Sequence, residues 1–401
     1  MNKKITVAVI GAGMAGQAHA YGFRNATMHP ALSEVDIELS TIADASRQLA
    51  ESVSKRYGFA RAVDSVDAVV EDDSIDAVSV ALPNFAYAEV IPRLIGAGKH
   101  VLAEKPLGRS AAEAYGFATA ADAAEVVHGV GFSFSRLGAI EAIETLLKSG
   151  AIGNIRHLSA WYLTDYAATE ETPFSWRYDK SLAGGGAIVD VGAHIISVIE
   201  RLAGPINRVI AAEARTLIPS RRLPAGTAGI GHGHAELSSE TAAVTTDDVT
   251  GVVAELAGGG LAQITASRVA TGVPNSLGFQ IIGSDGSIAF DSMHADEFQL
   301  FQPSSAPAES NGARTVLVGP EQPAFAYTIP MPARGVGSGY GAAFVAQAQD
   351  FVGSIVSKRP ITSDFWAGYQ TMLACDAVQL AAAGHSSVDL SDLDKSHRGP
   401  S

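Results

Sequence analysis

A chain of 401 residues, 47% hydrophobic and 17% charged, is too long for one hydrophobic core and too apolar for general disorder, so two domains are predicted. A formal charge of −14 with no basic block argues against nucleic acid and anionic membrane as partners. The single cysteine, Cys375, excludes an intramolecular disulfide and a multi-cysteine metal site, and fits a reducing cytoplasm.

Lys3, Lys4, the apolar run after them and Ala18-His19-Ala20 imitate a signal peptide with its cleavage site. Gly11, Gly13 and Gly16 break that run as a strand turning into a helix does, so no leader is predicted. No later apolar stretch reaches membrane-spanning length. From residue 5 to about 131, short apolar runs alternate with helix-like segments, the pattern of a doubly wound parallel sheet. Strands are predicted near Ile5–Ile10, Ile37–Ala43, Ala77–Leu82, His100–Ala103 and Val126–Phe132, with Ala86–Ala97 as a crossover helix. After residue 150 the rhythm changes to alternating strands, at Arg156–Tyr162, Val249–Leu256, Leu261–Arg268 and Phe279–Ile282. Gly258-Gly259-Gly260 and Ser284-Asp285-Gly286 read as hairpin turns. Pro219–Ser239 and Gln302–Ala313 read as loops, and Ala342–Ser357 and Phe365–Ala383 as closing helices. The prediction is an α/β domain over 1–131, then an α+β domain over 132–401 with a large open, mainly antiparallel sheet.

Three segments carry chemistry. Gly11-Ala12-Gly13-Met14-Ala15-Gly16 follows an apolar strand and opens a helix, which is where a dinucleotide needs a tight turn, close pyrophosphate approach and close helix packing. Asp44 ends the second strand and suits the adenosine ribose hydroxyls, favouring NAD over NADP, although Arg47 nearby tolerates a 2′-phosphate; the plainer role for Asp44 is a helix cap. The second segment ends in Glu104-Lys105-Pro106, with Lys105 at the carboxyl end of a buried strand, where a cation stabilises a developing alkoxide; alone, it reads as an ordinary exposed lysine. The third runs from Ser175-Trp176-Arg177 through Gly184-Gly185-Gly186 to Asp190 and His194. On one helix over Ile188–Leu202 the last two share a face, histidine as base and carboxylate as its support; singly, they read as a helix cap and a core histidine. Tyr162, Asp165, Tyr166, Arg177 and Tyr178 are candidates for sugar hydroxyls, against plain packing. His232 and His234 are too few for a metal site, so no metal is expected.

Together these segments resemble the glucose-fructose oxidoreductase, inositol dehydrogenase and rhizopine catabolism (Gfo/Idh/MocA) family over nearly the whole chain. Asp247-Asp248-Val249 and Ser267-Arg268 look like its branch containing levoglucosan dehydrogenase. The resemblance implies a Rossmann domain and a sheet domain often used for homo-oligomers, dimer or tetramer. It also implies catalysis by Lys105, Asp190 and His194, and cofactor contacts that extend to Pro83, Asn84, Glu104, Lys105, Trp176 and Arg177. Lys105, Asp190 and His194 would also meet the substrate, a sugar, anhydrosugar or polyol whose secondary hydroxyl gives hydride to the nicotinamide. Two positions depart from the family: Tyr87 stands where it commonly has histidine, and Phe134-Ser135 where it has Tyr-Arg, which puts the substrate in doubt. A non-catalytic sugar sensor on the same scaffold, and a glycoside-cleaving enzyme that uses NAD within each turnover, are the competing readings.

Overall fold

A computed structural model describes residues 3–226, 236–303 and 307–398. The first strand, β1 (Lys3–Ile10), is buried from Ile5 onward on both faces, as suits an interior parallel strand in which Thr6 is the one polar residue past Lys4. After it come α1 (Met14–Asn25), β2 (Val35–Ala43), α2 (Arg47–Tyr57), β3 (Arg61–Val63) and the short α3 (Asp67–Val70). Next are β4 (Ala77–Val80), α4 (Tyr87–Gly96), β5 (His100–Glu104), α5 (Ala111–Ala123) and β6 (His128–Gly131). All pairings are parallel, and the order β3-β2-β1-β4-β5-β6 reverses between β1 and β4. That reversal is the topological switch point of a doubly wound sheet, and its carboxyl edge is where ligands bind.

The rest of the chain carries further helices and the strands of a second large sheet. It comprises α6 (Gly138–Lys148), β7 (Ile155–Thr164), α7 (Lys180–Ala183), α8 (Ala187–Asp190), α9 (Gly192–Ala203), β8 (Ile206–Arg215), β9 (Ser220–Pro224), β10 (Leu237–Ala243), β11 (Val249–Leu256) and β12 (Leu261–Ser267). There follow β13 (Asn275–Gly283), β14 (Ser287–Asp291), β15 (Glu297–Phe301), β16 (Arg314–Leu317), α10 (Pro323–Ala326), α11 (Tyr340–Ser357), α12 (Phe365–Gly384), β17 (Val388–Asp389) and α13 (Leu390–Arg398). Nine strands share one sheet in the order β16-β15-β14-β13-β7-β12-β11-β8-β17, antiparallel except for the β7–β12 pair.

Two expectations need correction. Pro219–Ser239 is not all loop: β9 pairs with β10, hidden from pattern reading because β9 is Ser-Arg-Arg-Leu-Pro, without apolar alternation. Residues 227–235, including His232 and His234, lie outside the described residues. Nor does residue 131 divide the chain cleanly, because the first compact unit takes 319–369 as well as most of 1–137. The reason is α11, which packs on α1: a Cβ on Gly22 would stand 2.4 Å from the carbonyl oxygen of Phe344, and Ala348, Phe351, Val352 and Ile355 join Val7, Val9 and Phe23 in one core. No single helix among the described residues is long and apolar enough to cross a membrane.

Within the second unit, α9 carries a buried acid, Glu200, whose Oε2 accepts the Thr371 hydroxyl at 3.0 Å. Burial pushes its carboxyl up to about 7, against the pull of Thr371 and the Ile206 amide. A carboxyl whose folded pKa is raised favours the fold at acid pH, and that stability is lost as pH rises from the unfolded value through the folded one. Between pH 4.5 and about 7 the loss is up to about 3 kcal/mol, at about 1.4 kcal/mol for each pH unit. Glu200→Gln, nearly isosteric and always neutral, should therefore raise the urea midpoint at pH 8 and leave it almost unchanged at pH 5. Equal effects at both pH values would refute this.

Candidate active site

The turn after β1 has the geometry a pyrophosphate needs, and each glycine has a separate steric reason. Gly11 has φ +100°, and a Cβ there would stand 2.2 Å from the Ala81 carbonyl oxygen. At Gly16 a Cβ would stand 1.8 Å from the Gly11 carbonyl oxygen, so the helix could not close on the turn. Gly13 differs: its Cβ would meet nothing within 4 Å, so a side chain there would occupy only the space in front of the helix N-terminus. Ala12 is buried, whereas Met14, at 71% exposure, stands out from the first turn of α1 with Ala15 half-buried behind it. These residues fit the phosphates of a dinucleotide.

Asp44 sits just beyond β2. Its Oδ2 accepts the Ala12 amide at 2.8 Å and its Oδ1 the Ser46 amide at 2.8 Å, so the carboxylate is fixed beside the glycine turn. The helix cap is a different residue, Ser46, whose hydroxyl accepts from the Leu49 amide. Each carboxylate oxygen retains a lone pair for a ribose hydroxyl. Arg47 is turned to Glu51 at 3.0 Å. A 2′-phosphate would therefore meet a held carboxylate, and NAD should bind at least about tenfold more tightly than NADP, like charges in contact costing several kcal/mol. Titrating both cofactors against protein fluorescence checks this; tighter NADP binding would mean that Arg47 dominates.

Farther along the same carboxyl edge, Pro83 precedes a short turn that begins at Asn84, itself buried at 5% exposure, and Lys105 follows the last residue of β5. Lys105 is half-buried. The Tyr87, Phe134 and Ser135 departures all fall on buried side chains.

In the second unit, Asp190 ends α8 and receives the Tyr166 hydroxyl on Oδ2 at 2.6 Å. Burial, reinforced by Asp190, pushes the Tyr166 phenol far above its usual range, so it remains a donor. Arg177 Nε lies 3.9 Å from the same oxygen, and its guanidinium stacks 4.4 Å over the Trp176 ring. His194 is buried at 5% exposure, edge-on to Tyr162 with centroids 5.7 Å apart. The Tyr162 hydroxyl donates to Asn275 Oδ1 at 2.8 Å. Tyr178 is sandwiched between Arg221 and Arg268, and Asp165 uses its backbone carbonyl to hold Ala168. The single helix expected over Ile188–Leu202 is broken: α8 ends at Asp190, α9 starts at Gly192, and the axis bends by 49°. The His194 amide donates to Val191, three residues back, at 3.1 Å, so the shared-face argument for Asp190 and His194 does not hold.

The sequence marks Asp247 only through a family resemblance and gives no sign of what it holds. Asp247 accepts the Gly186 amide at 2.8 Å and the Ile188 amide at 3.0 Å, setting the start of α8. A Cβ on Gly186 would stand 2.0 Å from the Asp247 carbonyl oxygen, so this glycine is required by contact with the segment leading into β11, 61 residues away. Among the described residues no group of three or more His, Cys, Asp or Glu side chains gathers as a metal ion would need.

Residues 5–132 match the oxidoreductase family with an NAD-binding Rossmann fold, and residues 140–289 match the GFO/IDH/MocA C-terminal domain. Levoglucosan dehydrogenase of Pseudarthrobacter phenanthrenivorans is 33% identical over 395 residues, 98% of this chain and 99% of that protein. The chain belongs to the Gfo/Idh/MocA oxidoreductase family. Among solved structures similar to this Gfo/Idh/MocA protein, levoglucosan dehydrogenase in complex with NADH and levoglucosan has a TM-score of 0.88 at 32% identity, covering 97% of this chain and 100% of that one. An oxidoreductase domain protein from Kribbella flavida has a TM-score of 0.88 at 31% identity, with 97% and 100% covered. The family, the fold class and the NAD-binding first domain expected from the sequence are thus borne out.

Proposed function

We propose that this oxidoreductase is a cytoplasmic NAD-dependent dehydrogenase that oxidises a secondary hydroxyl of a cyclic sugar, anhydrosugar or polyol. The observation that carries the reading is Lys105, a cation one residue beyond β5 on the edge that also carries the glycine turn. In support, a relative alike over nearly its full length is named for levoglucosan, and 1,5-anhydro-D-fructose reductase from Ensifer adhaerens is 31% identical over 160 residues. In this reading the first unit binds the cofactor, and the second binds the substrate and a second copy of the chain.

A bound NAD would supply the acceptor for the hydride of the carbinol carbon. Lys105 donates a hydrogen bond to the reacting oxygen and offsets its developing negative charge. His194 takes the hydroxyl proton, leaving a ketone. Asp190, held by Tyr166 and Arg177, acts as the fixed anion that favours the imidazolium. In the same reading Pro83, Asn84, Glu104, Trp176 and Arg177 are cofactor-binding residues, and Tyr162, Asp165, Tyr166 and Arg177 are substrate-binding residues. The test is absorbance of the reduced cofactor with a panel of levoglucosan, inositols, hexoses and glycosides. Net NADH from a secondary alcohol supports the dehydrogenase; sugar binding without NADH, or glycoside cleavage without it, would replace the proposal.

The large sheet gives a reason for self-association. β12 alternates exposed and buried residues, and Ile210 on β8 and Leu261 on β12 remain 40% and 39% exposed. A second copy covering that face is the common solution, as a dimer or tetramer. Light scattering should report an oligomer, and a monomer at all working concentrations would rule this out.

A further inference from the structure

His19 lies on α1 at 2% exposure, where leucine would pack without needing a partner. Both ring nitrogens are engaged: Nε2 lies 2.8 Å from Glu104 Oε1, and Nδ1 lies 2.6 Å from Ser79 Oγ. A carboxylate oxygen accepts, so Nε2 donates to Glu104, and Nδ1 and the Ser79 hydroxyl share the second hydrogen bond. Glu104 is fixed further, because its Oε2 accepts the backbone amide of Lys105 at 3.2 Å and its carbonyl accepts the Tyr87 hydroxyl at 3.0 Å. Space for the carboxylate depends on Gly131, where a Cβ would stand 2.6 Å from Oε1. A buried polar contact of this kind is weak support for stability, because desolvation offsets most of the attraction. This one does tie the helix that opens at the glycine turn to the peptide of Lys105.

We propose that His19 and Glu104 are positioning residues for Lys105, setting its place through the backbone amide that the Glu104 carboxylate holds. The proposal rests on the reading of Lys105 as the residue that meets the reacting oxygen. A displacement of about 1 Å at such a group costs up to about a hundredfold in rate. The test compares His19→Leu, His19→Gln, Gly131→Ala and Lys105→Ala in the full chain. Single-turnover NAD reduction uses levoglucosan, or the sugar that ranks highest in the panel. Beside it run NAD titration and the rate at which an amine-reactive ester labels Lys105, read by peptide mass.

His19→Leu, which removes the donor to Glu104, and Gly131→Ala, which displaces the carboxylate, should each lower reduction ten- to a hundredfold, with NAD affinity within about twofold. Lys105 should then label at least about threefold faster as its peptide loosens. His19→Gln keeps an N–H within reach of Glu104 and should recover most of the rate. If Lys105→Ala is impaired while His19→Leu and Gly131→Ala match the wild type in rate and labelling, the positioning role is overturned and the reading of Lys105 stands. If Lys105→Ala itself reduces NAD at the wild-type rate, that reading falls and takes this proposal with it. Should His19→Leu fail to bind NAD, Gly131→Ala and the Gln variant decide in the same way.

Discussion

Lys105→Ala is expected to lower hydride transfer by on the order of a hundredfold or more, the usual cost of losing a group aimed at charge that develops in the transition state. His194→Ala should cost a comparable factor by removing the base. The two losses differ in kind. Without Lys105 the oxygen loses stabilisation at any pH, whereas without His194 the proton must leave to water, so rates in that variant should rise steadily with pH. NAD affinity depends on the glycine turn and Asp44, so it should change little in the His194 variant. Single-turnover reduction at saturating sugar, with a separate cofactor titration, separates chemistry from binding. Near-wild-type rates in both variants would make Lys105 and His194 structural residues.

The largest stability effect is expected at Asp248. Its Oδ1 accepts from Arg268 Nε at 2.9 Å, with both side chains at 0% exposure, and its Oδ2 accepts the Leu217 and Ile218 amides at 2.8 and 2.9 Å. Arg268 also donates to Thr246 Oγ1 at 2.9 Å and lies 4.6 Å over the Tyr178 ring. Asp248→Ala would leave a guanidinium and two amides buried without their acceptor, and breaking such a pair from one side costs about 3 to 5 kcal/mol. Replacing Asp248 and Arg268 together by apolar residues should cost less than Asp248→Ala alone, because no charge is then left uncompensated. Urea unfolding, with hydrogen exchange along β11 and β12, measures both. A loss below about 1 kcal/mol for Asp248→Ala would show that solvent reaches the site.

Where a signal is local, the sequence reads true. Gly11 to Gly16 can be read because turn, phosphate approach and helix packing all fall within one short stretch, and the structure gives Gly11 and Gly16 distinct close contacts while leaving the space beside Gly13 open. Strand β5 and the position of Lys105 at its end follow from one apolar run. Contacts between distant residues leave no such trace. His19 and Glu104 are 85 positions apart, and nothing in either neighbourhood names the other. The break at Val191 escapes periodicity because Ala187–Ala203 is apolar enough to pass for one helix. Strand β9 escapes for the opposite reason, having no alternation to read.

The packing of α11 on α1 also bears on the order of events during synthesis. A nascent chain of 1–131 has all six strands of the parallel sheet, yet it lacks Ala348, Phe351, Val352 and Ile355, which close the core around Phe23. At about 5 to 20 residues per second, the ribosome takes on the order of tens of seconds to deliver the missing helix. Throughout that interval one flank of the nucleotide-binding half is bare, and the half is open to chaperones and proteases. A fragment ending at residue 131 should therefore be insoluble or protease-sensitive when made alone, and a permuted chain that begins near Gly319 should present a finished first unit well before the second is complete.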